Sequence, residues 1–330
     1  MSTARLGQGE HIVRIRGHRL RICVRGEGPP VLLINGLGAS VALWEPLHQE
    51  LPDFRVISFD APGTGRSSTP AVPYTMAALA GVVAGLLDRL GEDTVDVVGY
   101  SFGGALAQQL ARDHPDRVRR LVLGATMCGW GGLAGDVSSV LSVLTPVRYY
   151  STRAYALTAP ILAGGAAEAD PEFVRRTARA RVAAPPSVTG YALQLMAASS
   201  WSSLPWLHRI EQPTLVVTGA QDRLLPAVNS ELIASRMPHA RLLSIDDWGH
   251  YVLLDRSSGA GHTIADFLRA ARVEESQAWR RARTVSHREA AASIRAHRNL
   301  LTRLNWQHAL YRGRHVPMVG VAGTERKSAC

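Results

Sequence analysis

The pentapeptide Gly99-Tyr100-Ser101-Phe102-Gly103 places a serine between a strand-like run and a helix-like run. A serine on so sharp a turn points its hydroxyl out of the strand end, which is the arrangement of a nucleophile elbow. Side chains two positions before or after the serine would crowd this turn, so glycine is favoured at both places. The motif and its setting predict that Ser101 is a nucleophile.

A serine becomes a strong nucleophile only when a base removes its proton and a carboxylate orients that base. In elbow enzymes the chain order is serine, then Asp or Glu, then His. Asp222 follows directly after one strand-like run and His250 follows the next, so the three side chains are expected to meet at one edge of the sheet. Asp246 and Asp247 are close to His250 in the sequence and remain alternatives for the carboxylate.

Such chemistry also needs two backbone N–H groups aimed at the developing oxyanion. The amide of Phe102 is one candidate, because it directly follows the nucleophile at a helix N-terminus. The amide of Leu37 is the other, because its loop follows the third strand-like run. Three further residues are expected to contact the substrate, namely Asn35, Gly36 and Trp248.

The elements that must position these residues alternate between strands and helices along most of the chain. Such alternation predicts crossover connections and a mostly parallel sheet. Two segments near the N-terminus alternate apolar and polar residues, which predicts antiparallel strands. The expected architecture is an α/β fold with eight strands flanked by helices.

The strand rhythm stops between Thr126 and Ile210, where the sequence looks helical and carries eight aromatic residues. An insertion at this point would cover the strand ends, where ligands bind in open α/β sheets. Most of the aromatic residues are expected to form the core of the insertion, and a few would face Ser101. The predicted division is a core over 1–126 and 211–271, a helical cap over 127–210 and a basic tail over 272–330, helical or partly disordered.

The composition is that of an ordinary globular protein, with 46% hydrophobic and 19% charged residues among 330. The first ten residues lack the apolar stretch of a secretory signal, and no apolar run of about 18 residues predicts a membrane span. Three scattered cysteines indicate a reducing cytoplasm and give neither a disulfide framework nor a metal-ligand spacing.

The net charge of +10 is unevenly distributed along the chain. Residues 271–330 hold 12 Lys or Arg against 4 Asp or Glu, whereas the first 270 residues hold 25 against 23. The enzyme-like part is therefore nearly neutral, and no nucleic-acid partner is expected.

Several longer motifs together resemble one known family. In the first half of the chain they are Ile34-Asn35-Gly36-Leu37-Gly38-Ala39, Phe59-Asp60-Ala61-Pro62-Gly63 and Leu121-Val122-Leu123-Gly124-Ala125-Thr126. In the insertion they are Thr145-Pro146-Val147-Arg148-Tyr149 and Gly190-Tyr191 with Gln194-Leu195. The chain resembles the α/β-hydrolase superfamily and, within it, the intracellular poly(3-hydroxyalkanoate) depolymerases of medium-chain polyesters.

The resemblance implies a serine ester hydrolase that cleaves a 3-hydroxyalkanoate polyester or its oligomers through an acyl-enzyme. Its triad would be Ser101, Asp222 and His250, with no metal or organic cofactor. A small-molecule carboxylesterase, a lactonase or a carbon–carbon bond hydrolase would use the same triad and remain alternatives. A non-catalytic granule-binding protein on the same fold is a further one.

The basic tail contains apolar residues at helix-compatible spacings between arginines over 286–311, which predicts a basic amphipathic helix. Such a helix would either pack weakly on the main domain or dock on a polymer granule or another anionic surface. The expected location is the cytoplasm, with association to granules. The sequence leaves the oligomeric state open.

Overall fold

The computed structural model describes residues 6–165 and 170–298, through which one eight-stranded sheet runs in the order β1-β2-β4-β3-β5-β6-β7-β8. β2 pairs antiparallel with β1 and β4, whereas β4, β3, β5, β6, β7 and β8 pair in parallel. This confirms the predicted α/β sheet. The strands are β1 Gly9–Ile15, β2 His18–Arg25, β3 Pro30–Ile34, β4 Arg55–Phe59, β5 Val95–Tyr100, β6 Val118–Gly124, β7 Thr214–Gly219 and β8 Ala240–Ile245.

Helices cover both faces of the sheet. They are α1 Glu45–His48, α2 Met76–Leu90, α3 Phe102–Asp113, α4 Val137–Val143, α5 Thr152–Ala163, α6 Pro171–Ala183, α7 Val188–Ser199, α8 Ala227–Arg236, α9 Ala260–Arg269, α10 Gln277–Arg281 and α11 over 287–298. Residues 299–330 and the end of the predicted 286–311 helix lie outside the described residues.

The core has two halves because neighbouring residues of a strand point to opposite faces of the sheet. Leu32 of β3 packs on the face covered by α2, α3 and α8, while Leu33 packs on the face covered by α9 and α10. Both residues are fully buried. Burial on both faces explains why the central strands are short continuous apolar runs.

The insertion between β6 and β7 contributes helices α4 to α7 and packs onto the sheet domain. Tyr155 of α5 and Phe173 of α6 are fully buried in the same apolar cluster as α9. Trp201 and Trp206, which follow α7, join the cluster on the opposite face. The insertion therefore extends the core at the end of the sheet where β5, β7 and β8 terminate.

The start of the predicted tail belongs to the packed structure. Trp279 of α10 stacks on Phe267 of α9 with ring centroids 5.6 Å apart. Arg283 exchanges two backbone hydrogen bonds with Leu242 of β8, and Val285 is buried in the core. Within the part of the chain that the structure describes, no helix is long and apolar enough to cross a membrane.

Candidate active site

Ser101 occupies a tight turn between β5 and α3. Its φ of 55° is unusual for a residue with a side chain, and such conformations persist where the surroundings hold them. A Cβ on Gly99 would lie 2.5 Å from the carbonyl oxygen of Gly103, and one on Gly103 would lie 2.0 Å from that of Ile34. Glycine is therefore required on both sides of the serine, because a side chain would clash with the backbone, as the sequence predicts for a nucleophile elbow.

The loops after β5, β7 and β8 bring Ser101, Asp222 and His250 together. His250 Nε2 lies 3.2 Å from Ser101 Oγ, and His250 Nδ1 lies 2.8 Å from Asp222 Oδ2. The three residues are buried. With its proton on Nδ1, the imidazole donates to Asp222 and leaves Nε2 free to accept the serine proton.

Asp222 is also held from its other side. Its Oδ1 accepts hydrogen bonds from the amides of Leu224 at 2.9 Å and Leu225 at 2.8 Å. Asp246 and Asp247, the sequence alternatives for the carboxylate, are exposed instead. The geometry therefore distinguishes Asp222 from the two alternatives beside His250.

The loop after β3 leaves one amide available near the serine. The amides on either side donate within the protein: Gly36 to Asn35 Oδ1 at 3.0 Å and Gly38 to Gln194 Oε1 at 2.9 Å. Leu37 lines the same cavity as Ser101 and Phe102, and no described residue accepts a hydrogen bond from its amide. The position suits the oxyanion role that the sequence predicts for Leu37 and Phe102.

Ser101 and His250 line a cavity of about 660 Å³ between the sheet and the insertion. Its wall is largely apolar and includes Leu133, Val140, Val143, Leu144, Leu162, Leu195, Leu224 and Leu225. Tyr100 forms part of this wall, and burial raises the pKa of its phenol well above the ordinary value. The Tyr100 hydroxyl therefore stays protonated, which leaves His250 as the candidate base beside Ser101.

Of the three residues predicted to contact the substrate, the structure places one in the cavity wall and two outside it. Gly36 lines the cavity, but Asn35 and Trp248 do not. The Asn35 amide is engaged in its own loop, because Nδ2 donates to Ser40 O at 2.7 Å while Oδ1 accepts from Gly36. Trp248 is buried in the apolar core below His250. We therefore correct the prediction for Asn35 and Trp248, whose side chains shape the loop and the core.

Sequence reasoning missed the residues of the insertion that hold the loop containing Leu37. Tyr149 donates its hydroxyl hydrogen to Leu37 O, and Gln194 accepts from the Gly38 amide. A Cβ on Gly38, whose φ is +70°, would lie 2.7 Å from the Tyr191 ring. The sequence did contain a signal, because Tyr149, Tyr191 and Gln194 all belong to the insertion motifs that carry the family resemblance.

A second cavity of about 1080 Å³ lies between β2, α1 and α6, and its wall contains none of the triad residues. It is lined by charged side chains that include Arg25, Glu45 and Asp255. Among residues 6–165 and 170–298, no three His, Cys, Asp or Glu side chains are grouped so that they could hold a metal ion.

Comparisons with known proteins show the family to which the chain belongs. The sequence profile of the alpha/beta hydrolase fold family matches residues 29–257, so the chain belongs to that family. The chain is 40% identical over 264 residues to a poly(3-hydroxyalkanoate) depolymerase from Ectopseudomonas oleovorans, which covers 79% of this chain and 92% of the relative. It is 32% identical over 254 residues to a pimeloyl-[acyl-carrier protein] methyl ester esterase from Aromatoleum aromaticum, covering 73% and 98%.

Among solved structures, the enol-lactonase from Burkholderia xenovorans LB400 superposes with a TM-score of 0.68 at 27% identity. The match covers 79% of this chain and all of the lactonase chain. These relationships support the predicted α/β-hydrolase fold and identify an ester hydrolase.

Proposed function

From its membership of the alpha/beta hydrolase family, we propose that this enzyme cleaves the ester bonds of a poly(3-hydroxyalkanoate) polyester or its oligomers and releases 3-hydroxy acids. The relationship to the Ectopseudomonas oleovorans depolymerase carries the choice of substrate, because it spans most of both chains. The largely apolar cavity beside Ser101 supports it, since medium-chain polyesters carry alkyl side chains.

The proposed reaction starts with attack of Ser101 Oγ on the ester carbonyl, while His250 Nε2 takes the serine proton. The amides of Leu37 and Phe102 stabilise the tetrahedral oxyanion. His250 then protonates the leaving hydroxyl group, and an acyl-enzyme remains on Ser101. Water activated by His250 releases the acid, and Asp222 holds the imidazole in the required tautomer throughout.

The mouth of the cavity supports a polymeric substrate. Val137 and Leu141 of α4 and Leu144 directly after it are exposed. They share one face of the helix, because they follow one another at intervals of four and three residues. Trp130 is 73% exposed, and both Trp130 and Leu144 line the cavity. An apolar surface continuous with the active site suits contact with a water-insoluble chain.

The basic tail is proposed to add a second contact with the granule surface in the cytoplasm. Trp279 of α10, Val285 in the segment that follows it and Ala290 of α11 pack into the core. A truncation that tests this idea must therefore begin beyond them, at residue 299. Loss of granule binding on deletion of 299–330, with ester hydrolysis retained, would support the tail as a docking element. Undiminished binding would refute it.

A small-molecule esterase or lactonase is the second candidate. The relationships to the methyl ester esterase and to the enol-lactonase favour it, because these relatives cover comparable lengths of the chain. Such an enzyme would use the same triad and cavity. The two candidates differ in whether an insoluble polymer is attacked.

The deciding experiment measures release of 3-hydroxy acids from amorphous medium-chain polyester granules by the wild type and by Ser101→Ala. Release by the wild type alone would support both the serine mechanism and the polymer substrate. Absence of release, with nitrophenyl esters still cleaved by the wild type, would retain the hydrolase and reject the depolymerase. Release by Ser101→Ala equal to the wild type would reject the proposed nucleophile.

A further inference from the structure

Two arginines of the insertion are buried in the wall of the active-site cavity. Arg148 and Arg181 are each only 5% exposed, and both line the cavity that contains Ser101 and His250. Across residues 6–165 and 170–298, no carboxylate pairs with either guanidinium. Buried cations ordinarily have an anionic partner, because removing a charge from water is costly.

Aromatic rings partly take the place of that partner around Arg181. Its Cζ lies 5.1 Å from the ring centroids of Tyr149 and Tyr155 and 5.5 Å from that of Tyr251. Burial lowers the pKa of Arg181, but interaction with the tyrosines outweighs it and holds the pKa well above the ordinary value. Arg181 is therefore a permanent cation at every pH at which the enzyme would act.

The hydrogen-bonding capacity of Arg181 is mostly unused. Its Nη1 donates to Tyr149 Oη at 2.7 Å, whereas its Nε is buried without a partner among the described residues. A guanidinium offers five N–H donors in a planar fork that matches a carboxylate. The Tyr100 hydroxyl, in the same cavity wall, is likewise buried without a partner in the described part of the chain.

Arg148 adds a second positive charge to the cavity wall, and its guanidinium makes more hydrogen bonds to the protein than that of Arg181 does. Its Nη1 donates to Ser142 O at 3.1 Å and Thr145 O at 3.2 Å, and its Cζ lies 4.9 Å from the ring centroid of Tyr149. Arg181 is the arginine with unused donors in this wall, and the Tyr251 ring is close to both Arg181 and His250: its centroid lies 5.5 Å from Arg181 Cζ and 5.9 Å from the imidazole centroid.

We propose that Arg181 binds the free carboxylate of the substrate's leaving unit. This inference rests on the proposed function, because an oligomer of 3-hydroxy acids ends in a unit whose carboxylate lies two carbons beyond the alcohol oxygen of the last ester bond. When that bond is held at Ser101, the carboxylate is only a few bonds from the reacting carbonyl, on the leaving side. The enzyme would then favour chain ends and short oligomers that carry a carboxyl group.

The test compares two forms of a 3-hydroxyoctanoate dimer, one with a free carboxylate and one with a neutral carboxamide in its place. We expect the wild type to have a kcat/KM roughly 10- to 100-fold higher for the acid, mainly through KM, as for a charge-assisted bidentate contact. Arg181→Met should abolish this preference, and Arg181→Lys should retain part of it. Arg179→Met, on the exposed side of the same helix, is the matched control and should keep the preference.

Equal kcat/KM values for acid and amide in the wild type would overturn the proposal, whatever the folding of the variants. The same holds for an unchanged preference in a folded Arg181→Met protein. If neither dimer is cleaved, the polyester assignment fails, but the carboxylate subsite at Arg181 can still be tested by inhibition of nitrophenyl octanoate hydrolysis. 3-Hydroxyoctanoate, the leaving unit itself, should then inhibit the wild type roughly tenfold more strongly than its amide does, and Arg181→Met should remove this difference. Equal inhibition of the wild type by acid and amide, or a difference that persists in Arg181→Met, would refute the subsite.

Discussion

The hydroxyl of Tyr149 donates a hydrogen bond to the carbonyl oxygen of Leu37 at 2.5 Å, which ties the insertion to the proposed oxyanion loop. Arg181 donates to the same tyrosine oxygen at 2.7 Å. A buried cation, a phenol and a loop peptide thus form one chain of hydrogen bonds. This chain links the insertion to the carbonyl group of Leu37, the residue whose amide is proposed for the oxyanion hole.

We expect Tyr149→Phe to lower kcat for a soluble nitrophenyl ester roughly 3- to 10-fold, because one hydrogen bond that holds the loop is lost. KM should change little. Tyr150→Phe is the matched control, since the Tyr150 hydroxyl donates to Pro186 O, away from the loop. A kcat loss equal in both variants would show that the effect does not pass through Leu37.

Ser101→Ala is expected to abolish ester hydrolysis and labelling by a fluorophosphonate probe while the protein stays folded. The serine hydroxyl is the proposed nucleophile, and alanine fits the same turn no worse than serine does. Labelling is measured by mass spectrometry of the modified peptide. Ser235→Ala, in α8, should label as the wild type does, and a labelled Ser101→Ala protein would contradict the assignment.

Asp222→Asn should reduce kcat by roughly 10³- to 10⁴-fold, because the amide favours the wrong imidazole tautomer. Asp247→Asn should stay within about a factor of two of the wild type, since that side chain is exposed. Steady-state kinetics on a soluble ester measure both. The reverse ranking would assign the carboxylate to the loop after β8.

Gly103→Ala should destabilise the fold by on the order of 3 kcal/mol, because the new methyl group would meet backbone oxygens. Its Cβ would lie 2.0 Å from Ile34 O and 2.5 Å from Asn35 O. Urea unfolding monitored by tryptophan fluorescence measures the loss. At Gly7, a Cβ would meet nothing within 4 Å, so Gly7→Ala should leave the midpoint nearly unchanged.

His48 is expected to make stability depend on pH. Burial first, and then the nearby Arg25, lower the pKa of His48 from 6.5 to about 4, although Glu45 acts in the opposite direction. The unfolded chain therefore binds the proton more readily, so this contribution is complete above about pH 6.5 and is lost as the pH falls towards 4. The full effect amounts to about 3 kcal/mol.

Unfolding free energies of the wild type and of His48→Gln, measured between pH 4 and 7.5, check this expectation. The variant should lose the part of the pH dependence that lies between 4 and 6.5. His208→Gln, an exposed histidine, should retain the wild-type profile. Parallel profiles for the wild type and His48→Gln would show that His48 is not the group responsible.

From the sequence one could predict the order of the elements and the two residues that meet Ser101, namely Asp222 and His250. Buried parallel strands must be short apolar runs, and a nucleophile elbow must have small residues at Gly99 and Gly103, so both leave local patterns. Asp222 and His250 were found because each follows a strand, and parallel strands end at the same edge of the sheet. These inferences depend only on neighbours in the chain and on the direction of the strands.

The tertiary structure was needed wherever a contact joins distant parts of the chain. Asp222 is distinguished from Asp246 and Asp247 by its 2.8 Å approach to His250, which no local pattern encodes. Asn35 was predicted to contact the substrate, yet both ends of its amide bind its own loop. The burial of Arg181 among tyrosines from separate elements likewise arises only when the insertion packs onto the sheet, because burial depends on the assembled neighbours and not on residue type.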